Sequence, residues 1–515
     1  MKRRLRVLMA VGIAVLALFA AETGLNASTP PSGEANRVLI AVQNSTAESS
    51  TLTTALAPAF TMLFADAAND NDTQPNVTLN AKAPQNFPNK VIANWPVAEP
   101  FPSTVQSNAS TKVGSVYSED GSLTLINFAT EAVPSGGSVT GLAAQSSSIY
   151  MSANQQYVYA TGSQHGTVTV IDRTGKTSVT LSLPGANNLS VNAGQTVILI
   201  FSQNSNGVYY LRKLDAADQT AYGKDSGPAS WPANAVDCEP FNLPTYCIFQ
   251  VTGTGVAAVT YTADYFDHPL KAVFSADGSK AYILNAGPAS GGTTASVTVL
   301  PVAPLLLADG TESGTIPATP THLLVPDGAS NGVVSGTTLY VAGQSEVKVG
   351  STITWAGYIT PINTTTNVLG TPLRIADGEP ARMAVGDDST IWVGSQHCNE
   401  GANFLNQVTD GCMTRATFPA TGTPAAEIDP WKGDVTAIAP ITGFHKVYVA
   451  EGGQVYIYCT VSTTAGGTQN CGAQSSGSAD PYLIPEAYTQ YVQVAGKAVD
   501  VIYMDSAASA VNTVY

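Results

Sequence analysis

Two glycine-spaced patterns and a scatter of acids, histidines and cysteines are the residues whose types and spacing could do chemistry. Gly328-Ala329-Ser330-Asn331-Gly332 fits the G-x-S-x-G pattern of a serine nucleophile. That chemistry needs a strand before the serine and a helix after it, whereas Val333-Val334-Ser335-Gly336-Thr337-Thr338-Leu339-Tyr340 reads as strand and turn, so a connecting loop is expected. Gly253-Thr254-Gly255-Val256-Ala257-Ala258 fits the G-x-G-x-x-A dinucleotide pattern, but Val259-Thr260-Tyr261-Thr262 continues as strand. Without a helix N-terminus to meet a pyrophosphate, that pattern has no mechanism. His165, His268, His322, His397 and His445 include no i, i+4 pair and read as loop or surface residues. Asp66, Asp70 and Asp72, interleaved with Asn69 and Asn71, could offer oxygen ligands to calcium. They lack the glycine turn and distal glutamate of an EF-hand loop, so a solvated loop is expected and no cofactor other than calcium is left open. Asp377 and the pair Asp387-Asp388 fall near expected strand ends, where they make turns or gather carboxylates at a channel mouth.

Six cysteines fall into three close pairs, Cys238 with Cys247, Cys398 with Cys412 and Cys459 with Cys471, at separations of 9, 14 and 12. Six cysteines allow fifteen connectivities, and the local clustering makes three short-range disulfides the economical expectation. Each would contribute about 2 to 3 kcal/mol by loop entropy. None has the C-x-x-C spacing of a zinc site, and no metal is expected there. Disulfides belong to oxidising compartments, and the N-terminus agrees. Lys2, Arg3, Arg4 and Arg6 precede an apolar run over residues 7–20, followed by small residues at Ala20, Ala21 and Ala27. That is the layout of a secretory signal peptide, assigned to residues 1–27. Ser28 follows Ala27 where a lipoprotein would carry cysteine, so lipid anchoring is not expected. The longest later apolar run, residues 299–307, is interrupted by Pro301 and Pro304. No membrane insertion is expected after cleavage, and the destination is periplasmic, cell-surface or extracellular.

Composition narrows the partner. The chain has 515 residues with 22 Lys and Arg against 37 Asp and Glu, a formal charge of −15. Such acidity excludes nucleic acid as an electrostatic partner. Charged residues are 11% of the chain, against roughly 25% in an average soluble domain, and with 44% hydrophobic residues a core can form. A chain of this length exceeds what one ordinary core organises, which points to several domains or a repeat.

The elements that must position these residues are almost all strands. Thr167-Val168-Thr169-Val170-Ile171, Ser178-Val179-Thr180-Leu181-Ser182-Leu183 and Ser296-Val297-Thr298-Val299-Leu300 alternate polar and apolar residues with period two, and are β-branched as a pleated surface prefers. Asp277-Gly278, Arg173-Thr174-Gly175 and Gly452-Gly453 punctuate them as turns. Residues 52–67 read as one possible helix, and residues 69–110, rich in Asn, Pro and Asp, as loop. A short apolar strand recurs around Tyr159, Leu199, Tyr282, Tyr340, Trp392, Tyr448 and Tyr503, at intervals of 40, 83, 58, 52, 56 and 55 residues. Seven meander units of this size suit a β-propeller of four-stranded antiparallel blades, with an insertion carrying Cys238 and Cys247 in the longest interval. Little chain follows Tyr503, so the last blade needs an N-terminal strand to complete it. Arg37-Val38-Leu39-Ile40-Ala41-Val42 or Ser122-Leu123-Thr124-Leu125-Ile126 could serve, removing exposed edges. The organisation expected is a signal peptide (1–27), an N-terminal extension (28–112) with that strand and a linker, and a propeller (113–515).

Ser275-Ala276-Asp277-Gly278-Ser279-Lys280-Ala281-Tyr282-Ile283-Leu284-Asn285 resembles the repeat signature of YVTN-type β-propellers. Residues 151–172 follow it in outline, and Tyr340-Val341-Ala342-Gly343 and Tyr448-Val449-Ala450-Glu451 are weaker copies. Ala276 stands where the signature has proline, and most copies lack Asp-Gly. The resemblance implies an exported or surface-associated scaffold related to seven-bladed lactonase-like propellers, and places no catalytic residue. The function expected is a scaffold binding an unidentified protein, glycan or envelope component without catalysis of its own. A lactonase-like hydrolase and a Thr-rich β-sandwich adhesin or stalk are the alternatives.

Overall fold

The computed structural model describes residues 36–43, 60–66, 102–108, 497–505 and, with short breaks, 113–460. The signal segment, the Cys459–Cys471 pairing, Asp70 and Asp72 with the side chain of Asp66, His445 and residues 254–258 lie outside the described residues. Among the described residues the regular structure is β, arranged as a propeller, apart from the short helix Ala216–Ala221 and two 3-10 turns.

Each of the seven repeat centres lies in its own antiparallel sheet, and those seven sheets are blades. Blade 2 runs Ser148–Met151, Tyr157–Gly162, Thr167–Asp172, Thr177–Ser182 from axis to rim. Blade 3 begins with Ala186–Val191 and Ile198–Ser202. Blade 4 holds Pro269–Phe274, Lys280–Asn285, Ser296–Pro301 and Thr321–Leu324. Blade 5 starts at Asn331–Ser335, blade 6 at Glu379–Val385 and blade 7 at Val435–Ile441. In the closing blade, blade 8, the C-terminal strand Lys497–Asp505 pairs with Asn36–Gln43, which pairs with Phe60–Asp66. The expected N-terminal closing strand is therefore the one at Arg37, with Val38 opposite Tyr503.

Among the described residues the ring includes one sheet more, blade 1: Pro102–Asn108, Val113–Ser118, Leu123–Asn127 and Ser138–Val139. The segment around Leu123, the other candidate for closure, belongs here, and the ring holds eight sheets. Two readings are corrected. The helix expected over residues 52–67 is, where described, the strand Phe60–Asp66, because seven consecutive pairings with the closing strand outweigh helical propensity. Within the expected loop 69–110, Pro102–Asn108 is a strand. The insertion between Leu199 and Tyr282 supplies outer strands to blade 3, where Ala235–Glu239 pairs with Tyr246–Gln250.

The ring is held by apolar layers between successive sheets, each of which packs on two neighbours. Separate sandwich cores are not found among the described residues. Because side chains alternate along a strand, neighbouring residues feed opposite layers. Ile283 enters the layer shared with blade 3, while Tyr282 and Leu284 enter the one shared with blade 5. Leu39 and Ala41 face blade 1, while Val38, Ile40 and Val42 face blade 7. Burial on both faces explains why the repeat centres are runs of apolar residues.

The turn that follows the innermost strand takes a common form in blades 2, 3, 4 and 6. In blade 4, Ser275 Oγ donates to Asp277 Oδ1 (2.6 Å), Asp277 accepts from the Ser279 amide (3.0 Å), and Gly278 takes φ +69°. Hydrogen bonds from Ser275 and Ser279 pull Asp277 down to about 2. Blade 2 builds it with Ser152, Asn154 and Gln155 at φ +58°. Blade 3 places Gln195 at +56°, and blade 6 Ser389 at +67°. In all four, the left-handed residue donates its amide to the carbonyl three positions earlier. Tyr282, the signature tyrosine, donates its hydroxyl to Thr364 O (2.9 Å) in blade 5.

Two of the expected disulfides are present. Cys238 and Cys247 face each other in register with Cα atoms 4.1 Å apart, and Cys398–Cys412 spans 6.0 Å. They fit an oxidising compartment, and among the described residues no helix is long and apolar enough to cross a membrane.

Candidate functional site

The innermost strands of the sheets line the propeller axis, and six of them share a bulge at the same place. The ladder skips one residue at Asn187, Leu270, Ala381, Thr436, Val499 and Ser103. A bulge leaves a carbonyl outside the ladder and re-aims the next side chain. In blades 3, 4, 6 and 8 those next residues are Asn188, Lys271, Arg382 and Asp500, which form a polar tier around the axis.

Hydrogen bonds link this tier across consecutive blades. Asn188 Nδ2 donates to Leu270 O (3.1 Å), the bulge carbonyl of blade 4. Asn331 of blade 5 does the same to Ala381 O of blade 6 (2.8 Å). Lys271 Nζ donates to Asn331 Oδ1 at 2.7 Å, and that oxygen also accepts from the Gly332 amide. Arg382 Nη1 reaches Ala381 O at 3.0 Å, and the side chain is exposed. Burial, with the Arg382 charge adding to it, pushes Lys271 down to about 8. Asp500 accepts from the Val501 amide and is buried. Chemically the tier offers two cations and amide groups in blades 3 to 6 and the buried Asp500 carboxylate in blade 8.

None of these residues was singled out from the sequence. A signal existed: Pro269-Leu270-Lys271 and Pro380-Ala381-Arg382 both place a basic residue two positions after a proline at the start of an innermost strand.

The residues that were singled out do not converge. Ser330 lies in the loop before Asn331–Ser335, hydrogen-bonded through its amide to Ala342 O, and a strand follows it. The glycine pattern at Gly253 is entered by Thr252–Gly253 and left by Val259–Thr260, a hairpin pair. Asp377 and Asp387-Asp388 sit at opposite ends of Glu379–Val385. Asp388 accepts from the Thr390 amide (3.1 Å) and from Arg415 (3.4 Å), while Asp387 accepts from Thr460 (3.0 Å), so this turn ties blade 6 to the end of blade 7.

The histidines are equally dispersed. His165 occupies a turn between strands of blade 2, and His397 lies 3.9 Å from the half-buried Asp434. His322 stacks edge-on against Tyr265 in blade 4. His268 Nδ1 is 2.8 Å from Asp267, whose carboxylate also accepts from the amides of Thr293 and Thr294. Burial raises Asp267, but these bonds outweigh it and hold the carboxyl below its usual range. Its acceptor capacity is spent on shaping the loop. Among the described residues no three His, Cys, Asp or Glu side chains are grouped to hold a metal.

Blade 5 presents a second feature. Its strands Thr338–Val349 and Thr352–Asn363 are twice as long as most others. Asn331–Ser335 pairs only with Thr338 to Ala342, so the distal half of the hairpin stands beyond the sheet as a two-stranded arm, with Glu346 opposite Trp355. Its base is clamped. A Cβ on Gly343 would lie 2.1 Å from Gly328 C and one on Gly357 1.8 Å from Ala376 O, so only glycines admit these loops. Gln344 Nε2 adds a bond to Asp377 O at 2.6 Å.

No protein-family model matches the chain, and no curated protein matches it significantly. Solved structures do. A putative 6-phosphogluconolactonase from Bacteroides uniformis aligns at 12% identity over 78% of this chain and 98% of its own, with a TM-score of 0.42. One from Bacteroides fragilis aligns at 11% identity over 92% and 100%, with a TM-score of 0.40. The hydrazine synthase of Kuenenia stuttgartiensis aligns at 13% identity over 63% and 80%, with a TM-score of 0.39. The propeller assignment rests on this chain's own sheet order and interfaces.

Proposed function

We propose that this chain is an exported propeller scaffold that binds a protein, glycan or envelope component through the arm of blade 5, without catalysis of its own. The observation that carries the reading is the arm itself, a paired hairpin held out from the sheet by glycine contacts at its base. Ordering a loop on binding costs entropy, and a pre-ordered element avoids that cost. Recognition elements are commonly carried by connections on a rigid scaffold, and the two disulfides stiffen blades 3 and 6.

The test replaces residues 346–355 by Asn-Gly, a two-residue hairpin turn, and compares both proteins by glycan array and by co-sedimentation with purified cell-wall polymer. The wild type is expected to bind at least one class and the shortened protein to lose it with its melting temperature unchanged. Equal binding by the two proteins, or none by either, would sink the proposal. Turnover of a lactone by both would move the function to the hydrolase alternative.

A further inference from the structure

The polar tier on the axis contains two cations without a counter-charge among the described residues. Among the described residues neither Lys271 nor Arg382 has a carboxylate within 4.0 Å, although the chain carries 37 acidic residues against 22 basic ones. An ammonium has three donors, and that of Lys271 spends one, on the neutral Asn331 amide. The guanidinium of Arg382 spends one of its five N–H donors on Ala381 O, in its own blade. Both ends of the Asn331 amide are engaged: its oxygen accepts from Lys271 and Gly332, and its nitrogen donates one hydrogen to Ala381 O. That bonding fixes which way the amide points and holds the ammonium in place.

The two cations are also neighbours in the ring. Blade 5 alone separates their strands, Asn331 bridges from Lys271 to the residue before Arg382, and the Arg382 charge is felt at Lys271. Like charges held together without counter-charge, on a wall built of bulged backbone and side-chain hydrogen bonds, lose their mutual repulsion when an anion sits between them.

We propose that the axial wall of blades 4 to 6 is a binding site for a small oxyanion, a carboxylate or phosphate group, held by Lys271 and Arg382 and positioned by Asn331. The site is separate from the arm of blade 5 and does not depend on the arm's role. Recognition is by charge-assisted hydrogen bonds, from the donors of Lys271 and Arg382 that no described residue takes up.

The test is isothermal titration calorimetry at constant ionic strength with two probes, inorganic phosphate and malonate. Wild-type protein is expected to bind at least one saturably below about 20 mM, and the probe that binds identifies the group. Lys271→Met and Arg382→Gln are each expected to weaken that binding by about tenfold or more. Lys497→Gln, an exposed lysine on the innermost strand of blade 8, is expected to leave it unchanged. Arg382 is exposed, so its variant reports on the site even if the Lys271 variant fails to fold. Absence of saturable binding of both probes, or binding within twofold of wild type in Arg382→Gln, would overturn the proposal.

Discussion

Blades 4 and 8 offer the same kind of surface to their neighbours but are assembled from the chain in opposite ways. Blade 4 is one continuous meander from Pro269 to Leu324, each strand pairing with the next in sequence. Blade 8 pairs Lys497–Asp505 with Asn36–Gln43, so its central strand comes from the other end of the chain. Both central strands are buried on both faces: Ile283 and Leu39 are each 0% exposed. Equal burial therefore conceals unequal loop-closure cost, which falls almost wholly on blade 8. The local blade forms from neighbouring residues, whereas the closing blade forms only when the ring is otherwise complete.

The largest effect should come from putting a charge into each central strand. Leu39→Asp and Ile283→Asp both bury an unpaired carboxylate, at a cost of several kcal/mol. Limited proteolysis should find cleavage of Leu39→Asp confined to the two segments of the closing blade, before residue 102 and around 497–505, while the other blades stay protected. For Ile283→Asp it should find cleavage throughout. The same cleavage pattern in both variants would remove the distinction between the blades.

Loss of the Cys398–Cys412 bond comes next. It lies wholly within blade 6, so Cys398→Ser with Cys412→Ser should cost about 3 kcal/mol by chemical denaturation without changing where Leu39→Asp is cut. Smaller shifts of opposite sign are expected in the shared turn. Gly278→Ala forces an L side chain into φ +69° and should cost about 1 kcal/mol, while Gln155→Gly, relieving φ +58°, should gain up to about 1 kcal/mol.

The smallest effect concerns pH. Asp277 is held at about 2 in the folded protein, below the ordinary value for an unfolded chain. Its contribution is therefore fully present above the unfolded pKa and lost as pH falls through about 2. Asp277→Asn should flatten the acid limb of a stability–pH curve slightly, and an unchanged limb would show that this carboxylate does not matter.

The same contrast shows what the sequence made legible. Six of the repeat centres are second strands buried on both faces, and Tyr503 lies in the strand that pairs with the N-terminal one. Apolar runs such as Tyr282-Ile283-Leu284 signal that burial directly. Blade 1 escaped notice because its second strand, Val113–Ser118, is buried at all six positions yet uses Gly114, Ser115 and Ser118 for half of them. Most copies of the shared turn were hidden for another reason. Gln155, Gln195 and Ser389 take the left-handed conformation that a search for glycine would miss. The close spacing of the cysteines announced the two disulfides. The axial tier was not legible from spacing alone, because Lys271 and Arg382 become equivalent only through bulges set by strand pairing.

The closing strand also sets a waiting time. Ribosomes make Asn36–Gln43 well before Lys497–Asp505, and at about 5–20 residues per second the interval is roughly half a minute to a minute and a half. Throughout it Val38, Leu39, Ile40, Ala41 and Val42, all fully or almost fully buried at the end, have no C-terminal partner strand. Such a segment invites capture by another chain's sheet edge, so this strand needs protection until its distant partner arrives.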